Sequence, residues 1–342
     1  MNKLILILLG VTLALATVKF AWERKSSLSK FDRESIQMFS IWKQQHGKSY
    51  NSLSEEFYRL NVFLKNHQKL KELRNSDITY SVGLNKFSDL PEEEFLQMYA
   101  GYSNKSTRQR KEREVKTAAG FTAPSSIDWR KFNAVNPIRD QKNCNAGYAF
   151  ASVAAFESGT RVSGYSLYEF SDQQVVDCSS SDGNFGCQGG DIGDAFEYIL
   201  RVGGLENGLY YPFSGTAGTC KFDPTKKELP RVEDWYDVPK ADCNGLMTAV
   251  AQQPVAAAVA ASAMQFYQNG VFSSKFCGTS INHAVTVIGY GTDSTLKKNF
   301  WLVRNSWGEG WGEEGYIRMD RDVQTDTGIC GICLAATYPQ II

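Results

Sequence analysis

The hydrophobic pattern changes midway along the chain, and this change limits the possible folds more than any other feature. From Asn145 to about Arg201, apolar residues recur at helical spacing. From about Leu229 they form short runs typical of strands, such as 284–288. The pattern predicts an α+β domain in which a helical half faces a β half, and ligand pockets are common between such halves.

A separate helical pattern occupies the N-terminal part of the chain. Residues 32–76 carry apolar side chains three to four positions apart, which predicts helix, and Ser54 is the expected helix start. Such an apolar face requires a packing partner. Its residues are Phe39, Trp42, Phe57, Leu60, Phe63, Leu64 and Leu70.

The first residues are typical of a secretory signal peptide. Residues 1–16 run from Lys3 through an apolar stretch to Ala14-Leu15-Ala16, a small-x-small cleavage pattern. The stretch is too short for a permanent membrane span, so no stable membrane anchor is expected. An uncleaved signal anchor is the alternative.

A charge-dense segment separates the two patterned regions. Residues 102–118 are polar and contain the glycosylation sequon Asn104-Lys105-Ser106. A segment of this composition buries too little apolar area to order itself, and exposed linkers are where proteases cut. We interpret residues 101–122 as a maturation linker, with a simple solvated spacer as the alternative.

The net charge is zero overall but unevenly distributed. Residues 1–122 carry a net charge of +7 and residues 123–342 one of −7. Opposite charges favour association of the two segments, although exposed ion pairs contribute little individually. Because the chain has no basic surplus, nucleic acid is not an expected partner.

All eight cysteines lie beyond residue 143. An even number in a chain with a signal peptide predicts disulfides, and neither a metal nor a cofactor is expected. Cys330 and Cys333 have CxxC spacing, but Gly331, Ile332 and the apolar run after them favour a buried strand over a redox helix. Spacing alone leaves the connectivity open.

Three segments carry the residues of a candidate active site. The run Gln-Lys-Asn-Cys-Asn-Ala-Gly-Tyr-Ala-Phe at 141–150 resembles the nucleophile segment of papain-family, cathepsin L-like cysteine proteases, with Gly147 in place of the cysteine. His283 in Asn-His-Ala-Val and Asn305 in Arg-Asn-Ser-Trp-Gly resemble the general base and the amide that orients it. They follow Gly147 by 136 and 158 residues, close to the spacing of papain-like enzymes.

Two more signatures resemble the family's propeptide. One comprises Glu55, Arg59, Phe63, Asn66 and Leu70, although Arg74 stands where a final Asn is expected; the other comprises Gly83, Asn85, Phe87 and Asp89. The resemblance implies a two-lobed papain-like fold, with a helical lobe and a β-barrel-like lobe, at residues 123–342. It also implies a helical inhibitory propeptide at 32–100 that docks across the cleft, and a monomer.

The resemblance also implies roles for the active-site residues. His283 would accept the thiol proton, Asn305 would hold the imidazole, and Gln141 would donate to the oxyanion with the backbone N–H of residue 147. Gly147 has no side chain and forms no acyl intermediate. We therefore predict an inactive pseudoprotease that keeps a cleft for a peptide or protein ligand. The alternatives are an active endopeptidase, if Gly147 is an engineered or misread cysteine, and a structural, storage or signalling protein that reuses the fold.

The substrate groove and the disulfides follow from the same resemblance. Gly189 and Gly190 match a strip along which substrate backbone approaches closely. The expected hydrophobic pocket is lined by Ile192, Ala258, Ile281 and Ala335, while Asp191 departs from the usual aromatic residue. The implied disulfides are Cys144–Cys187, Cys178–Cys220 and Cys277–Cys330, which leave Cys243 and Cys333 bonded to each other or free. The expected location is the secretory pathway, either extracellular or in the lysosome or vacuole.

Overall fold

The computed structural model describes residues 32–342 except 104, 105, 107, 108, 116, 118, 119, 229 and 275. The predicted signal peptide at 1–16 and two residues of the sequon, Asn104 and Lys105, lie outside the described residues. The chain divides into two compact units. Among the described residues, one unit contains 32–72 together with Asn85–Pro91, and the other contains Leu73–Leu84 and Glu92–Ile342.

Most helices lie before residue 203, and most strands lie after residue 231. The helices are α1 (Arg33–Gln45), α2 (Leu53–Arg74), α3 (Glu92–Tyr99), α4 (Gly147–Val162), α5 (Asp172–Cys178), α6 (Ile192–Val202) and α7 (Cys243–Val250). The strands are β1 (Tyr80–Val82), β2 (Ile127–Asp128), β3 (Val232–Asp237), β4 (Val255–Val259), β5 (Tyr267–Phe272), β6 (His283–Thr292), β7 (Asn299–Arg304), β8 (Tyr316–Asp320) and β9 (Ala336–Ile341).

The helical stretch predicted over 32–76 is two helices rather than one. Asp32 caps α1 by accepting the Ser35 N–H at 2.8 Å. The prediction that Ser54 starts a helix is wrong, because α2 begins at Leu53 and the Ser52 hydroxyl accepts the Glu55 N–H at 3.2 Å. The break lets the two apolar faces pack together around an aromatic cluster of Phe39, Trp42 and Phe63.

Both propeptide-like signatures serve one contact in the first unit. Asn66 on α2 donates to the carbonyls of Ser88 and Leu90, at 3.0 and 2.9 Å. Arg59 donates to the carbonyl of Asp89 at 3.2 Å, and the buried Asp89 carboxylate pairs with Lys48 at 3.0 Å. Two side chains of the first signature, Arg59 and Asn66, therefore donate hydrogen bonds to backbone carbonyls at and beside the end of the second.

The second unit is built on a mostly antiparallel sheet. Its strand order is β1-β5-β8-β7-β6-β4-β9-β3, with β2 paired to β6; among the strands named above, β5 and β8 form the parallel pair. The strand β3 lies at one end of this order. The core helix α4 is buried from Gly147 to Thr160. These helices and this sheet confirm the predicted α+β class.

Four disulfides close the second unit. The structure pairs Cys144 with Cys187, Cys178 with Cys220 and Cys277 with Cys330, which are the three pairs implied by the resemblance, and joins Cys243 to Cys333. The prediction of a strand through Cys330 and Cys333 is wrong. A 3-10 turn spans Ile329–Gly331, because Gly328 and Gly331 adopt positive φ angles of 67° and 76°.

Part of the predicted linker makes ordered contacts with the sheet. Glu112 forms a parallel bridge to Asp237 at the end of β3. An open strand edge supplies backbone partners that the linker cannot supply for itself. Across the described residues, none of the helices combines the length and apolarity needed to cross a membrane.

Candidate active site

Four sequence-predicted residues converge at one end of the sheet. Gly147 is the first residue of α4, His283 is the first residue of β6, and Asn305 directly follows β7. The antiparallel pairing of β6 with β7 aligns Thr286 with Arg304, which brings His283 beside Asn305. Gln141 lies in the loop that leads to α4, next to the Cys144–Cys187 disulfide.

His283 is completely buried and held on three sides. Its Nδ1 lies 2.7 Å from the carbonyl oxygen of Ala100, and its Nε2 lies 2.8 Å from Oδ1 of Asn305. The ring stacks on Trp307 with centroids 4.7 Å apart. Oδ1 of Asn305 also accepts the Ser306 N–H at 2.8 Å, which fixes the orientation of the amide.

Both hydrogen-bond partners of His283 are acceptors. Satisfying both requires an N–H on each ring nitrogen, which is the charged imidazolium. Burial lowers the pKa of His283, whereas the hydrogen bonds to Asn305 and Ala100 raise it, and burial is the larger effect. Gly147 supplies no anion to balance a charged ring. Protonation of His283 therefore gains two hydrogen bonds but incurs the cost of a buried charge.

Gln141 is buried and its amide is oriented by the protein. Its Oε1 accepts the Ser306 hydroxyl at 2.6 Å, and its Nε2 donates to the carbonyl of Cys144 at 2.9 Å. The same Nε2 lies 3.3 Å from the carbonyl of Tyr99, which also accepts the Trp307 indole N–H at 3.0 Å. The carbonyl of Tyr99, which precedes the predicted protease domain, thus accepts a hydrogen bond from the Gln141 amide that was predicted to donate to the oxyanion.

The space at Gly147 is filled by its neighbours. A Cβ at this position would lie 2.8 Å from Nδ1 of His283 and 3.0 Å from the carbonyl oxygen of Ala100. The first distance is shorter than real Cβ contacts. The Ala100 carbonyl and the imidazole therefore meet in the volume that a side chain at residue 147 would need.

Residues 100–103 run through the predicted groove as an extended segment. The N–H of Tyr102 donates to the carbonyl of Asn282 at 2.8 Å, and the N–H of Ser103 donates to the carbonyl of Gly190 at 2.9 Å. The N–H of Gly190 returns a bond to the carbonyl of Gly101 at 3.2 Å. The approach is close, because a Cβ at Gly189 would lie 3.2 Å from that same carbonyl.

The predicted pocket residues share one hydrophobic cluster. Ile192, Ala258 and Ala335 are buried members of this cluster, while Ile281 and Tyr102 are partly buried and pack against it. An aromatic side chain from the segment in the groove therefore packs against the same cluster to which the predicted pocket residues belong.

Asp191 has a local reason for departing from the family pattern. Its carboxylate caps α6 by accepting the N–H groups of Gly193 and Asp194, at 2.8 and 3.3 Å. The other carboxylate oxygen accepts the Tyr102 hydroxyl at 3.1 Å. The residue is thus both a helix cap and a contact of the segment in the groove.

A buried charge cluster behind the site was missed by the sequence analysis. Arg139 binds Glu157 through two hydrogen bonds of 3.0 Å and pairs with Asp172 at 3.2 Å. Arg304, next to Asn305, donates to the carbonyl of Pro137 at 2.6 Å. The four residues of the cluster lie on α4, α5, β7 and the loop before α4. The sequence signal for them is that Arg139 and Arg304 are close to Gln141 and Asn305 along the chain.

Burial controls the protonation of Asp172. It raises the pKa of Asp172 to about 7, since Arg139 lowers this pKa less than burial and the Glu157 carboxylate raise it. The Oδ1 atom of Asp172 is buried without a hydrogen-bond partner among the described residues. Asp172 is therefore a buried acid that takes up a proton near neutral pH.

The sequence analysis also missed Ala100 and Tyr102 as contacts of the site. Both precede the predicted protease domain, and the tripeptide Ala-Gly-Tyr at 100–102 carries no signal besides a glycine able to lie close to another backbone. Within the described part of the chain, no group of three or more His, Cys, Asp or Glu side chains is placed to hold a metal ion.

Comparisons with known proteins identify the family of both parts of the chain. Residues 123–340 match the papain family cysteine protease model, and residues 39–95 match the cathepsin propeptide inhibitor domain. The senescence-specific cysteine protease SAG12 of Arabidopsis thaliana is 39% identical over 310 residues, covering 88% of each chain.

Solved structures of precursors are similar over the same extent. A recombinant stem bromelain precursor has 38% identity and a TM-score of 0.81, covering 90% of this chain and 99% of its own. The digestive procathepsin L 3 of Tenebrio molitor larval midgut has 35% identity and a TM-score of 0.80, with the same two coverages. This chain therefore belongs to the papain family of cysteine proteases and carries a cathepsin-type propeptide inhibitor domain before its protease domain.

Proposed function

We propose that this chain is a pseudoprotease that binds extended peptides in its cleft without cleaving them. The observation that carries the proposal is Gly147, which stands at the start of α4 with the base and its orienting amide still in place. A glycine forms no covalent acyl intermediate. The remaining groups of a protease site lacking its nucleophile accelerate hydrolysis only about 10³ to 10⁴-fold over water.

Direct activation of water by His283 is a weak substitute. General base catalysis contributes about 10² to 10⁴-fold, and it requires a free lone pair on a ring nitrogen. Both ring nitrogens of His283 already face carbonyl-type oxygens, one of which belongs to Ala100 in the groove. Peptide bound in the manner of residues 100–103 would thus block the base instead of being attacked.

The segment at 100–103 indicates the ligand class. Backbone hydrogen bonds with Asn282 and Gly190 select an extended peptide, and the contact near Gly147 admits a carbonyl where a nucleophile side chain would stand. The aromatic Tyr102 lies against the hydrophobic cluster. We infer a ligand with a small residue facing Gly147 and an aromatic residue two positions later.

The processing scheme forms part of the proposal. We propose a signal peptide at 1–16, an inhibitory propeptide at 32–100, a maturation linker at 101–122 and a protease-like domain at 123–342. Another protease must cut the linker, because the chain lacks a nucleophile of its own. Four disulfides and a cathepsin-type propeptide are typical of secretory-pathway proteins, and we propose an extracellular, lysosomal or vacuolar location.

The decisive experiment restores the thiol. The natural chain and a Gly147→Cys variant are produced full length, cut in the linker by the same added protease, and assayed with a hydrophobic-Arg fluorogenic peptide after that protease is blocked. Cutting comes first because the Ala100 carbonyl occupies the place of the new side chain. We expect turnover from the variant alone, at least about 10³-fold above the natural chain, and its loss with a thiol-directed covalent inhibitor.

The matched controls separate catalysis from binding. Gly147→Cys combined with His283→Ala should lose the restored turnover, because the thiol then lacks its base. Binding to the cut natural chain is measured with a labelled peptide of residues 97–103. Turnover by the natural chain would overturn the claim of inactivity, and failure of that peptide to bind would overturn the claim of a retained cleft.

A further inference from the structure

The edge of β3 is occupied by four residues of the predicted linker. The N–H of Arg113 donates to the carbonyl of Asp237 at 3.0 Å, and the N–H of Asp237 donates to the carbonyl of Lys111 at 3.1 Å. Arg110 adds a guanidinium hydrogen bond of 3.1 Å to the carbonyl of Val238. Residues 110–113 therefore extend the sheet as a short parallel strand, which is the geometry of peptide recognition by strand addition.

The basic side chains of this segment lie on aromatic rings of β3. The Lys111 ammonium lies 4.4 Å from the ring centre of Trp235, and the Arg113 guanidinium lies 4.4 Å from that of Tyr236. Both distances are within the range of cation–π attraction. Lys111 and Arg113 thus contact the rings of two consecutive residues of β3, Trp235 and Tyr236.

Acidic groups of the protease domain complete the contact with Lys111. Its ammonium lies 3.1 Å from the Asp234 carboxylate and 3.6 Å from the Glu197 carboxylate. Glu197 is itself oriented by the Trp235 indole N–H at 3.1 Å. One ring and two carboxylates therefore converge on a single ammonium group.

A buried carboxylate recognises the backbone of the segment. Asp237 is fully buried, accepts the Thr337 hydroxyl at 2.8 Å with one oxygen, and accepts the Lys111 N–H at 3.0 Å with the other. A buried charge needs hydrogen bonds from its surroundings. The carboxylate is thus placed to receive a backbone N–H from a strand at this edge.

We propose that the edge of β3 is a second peptide-binding site of the protease domain, separate from the cleft, and that it takes an extended basic peptide of the type Arg-Lys-x-Arg. Residues 110–113 are the occupant in the uncut chain. A cavity of about 280 Å³ lined by Arg113, Tyr236 and Tyr338 adjoins the site, so a longer peptide has room to continue. The site uses no atom of Gly147 or His283, and it is independent of the function proposed for the cleft.

The test displaces residues 110–113 from the site in the full-length chain and then adds a peptide in solution. Lys111→Glu with Arg113→Glu places negative charges against Asp234 and Glu197, which displaces the chain's own segment. A labelled peptide of residues 109–115 should then bind this double variant at least about tenfold more tightly than the natural chain, whose site is filled. A peptide with the same two substitutions should bind neither protein.

Removing the carboxylates on the domain side decides whether binding occurs at this edge. Adding Asp234→Asn and Glu197→Gln removes both acids without attracting the reversed segment, and it should weaken peptide binding at least about fivefold. Glu309→Gln, at an exposed acid elsewhere, should leave binding unchanged. In the otherwise natural chain, the Asp234→Lys, Glu197→Lys pair should speed tryptic cleavage after Lys111 and Arg113 about fivefold to tenfold. Equal peptide affinity for the natural chain and the emptied variant, or cleavage rates unaffected by the charge reversal, would overturn the proposal.

Discussion

The stretch between α3 and β2 contacts the protease domain at two places whose chemistry is opposite. In the cleft, residues 100–103 bind through backbone groups and through glycines that permit close approach. At the edge of β3, residues 110–113 add charged side chains that are partly exposed, Lys111 retaining 38% of its side-chain surface. One contact is governed by shape and the other by charge.

This difference determines what each contact can discriminate. Backbone pairing in the cleft accepts many sequences and rejects side chains that do not fit near Gly147. The β3 edge discriminates between peptides by the sign and spacing of their charges. Exposed charge pairs of this kind are screened by salt. The same linker therefore carries one segment sensitive to steric change and another sensitive to ionic strength.

The largest expected effect concerns the buried cluster behind the cleft. The folded-state pKa of Asp172, about 7, lies above the ordinary value of 3.8, so the protonated acid favours folding. This contribution is fully present below pH 3.8 and is lost as the pH rises through 7, by up to roughly 4 kcal/mol. Asp172→Asn should remove most of this pH dependence, as measured by urea unfolding from pH 4 to 7.

Asp326→Asn is the control for this measurement, because Asp326 is exposed and its substitution should leave the pH profile unchanged. A profile for Asp172→Asn that parallels the natural chain would show that the charge cluster does not set the stability of the cleft wall. The contrast between buried charges behind the cleft that respond to pH and exposed charges at the β3 edge that respond to salt would then be lost.

A smaller effect is expected from one methyl group in the cleft. Gly147→Ala places a Cβ 2.8 Å from the His283 ring, which Asn305 and Trp307 hold in place, so the Ala100 carbonyl must move away. Overpacking of this kind costs about 1–3 kcal/mol. Hydrogen exchange at the amides of Tyr102 and Ser103 should accelerate at least about fivefold.

Gly310→Ala provides the matched control, since a Cβ at this exposed glycine would meet no heavy atom within 4 Å. It should leave exchange at both amides unchanged. Unaltered exchange in Gly147→Ala would mean that the segment in the groove is held without the contact between Ala100 and His283.

The smallest effect is expected from salt. Raising NaCl from 50 to 500 mM shortens the screening length to below about 5 Å. Exchange at the amides of Lys111 and Arg113 should accelerate about twofold to threefold, while Tyr102 and Ser103 should not respond. A Lys111→Gln, Arg113→Gln variant should lose the salt response, and an equal response of both segments would erase the distinction between them.

Much of the site could be predicted because its motifs are contiguous in sequence. Gln141, His283 and Asn305 each lie in a recognisable run, and β-strand pairing brings those runs together in the structure. The linker contact at β3 could not be predicted in the same way. Residues 110–113 are ordered by partners more than 80 positions away, and composition alone indicates only that they are polar.

The sequence by itself determined the α+β class, the family and three of the cysteine pairs implied by resemblance. Only the tertiary structure decided that the Ala100 carbonyl fills the space beside Gly147, that Asp172 is buried among other charges, and that a basic segment lies on the edge of β3. Local patterns report which elements form, whereas these three features depend on which distant groups those elements bring within hydrogen-bond distance.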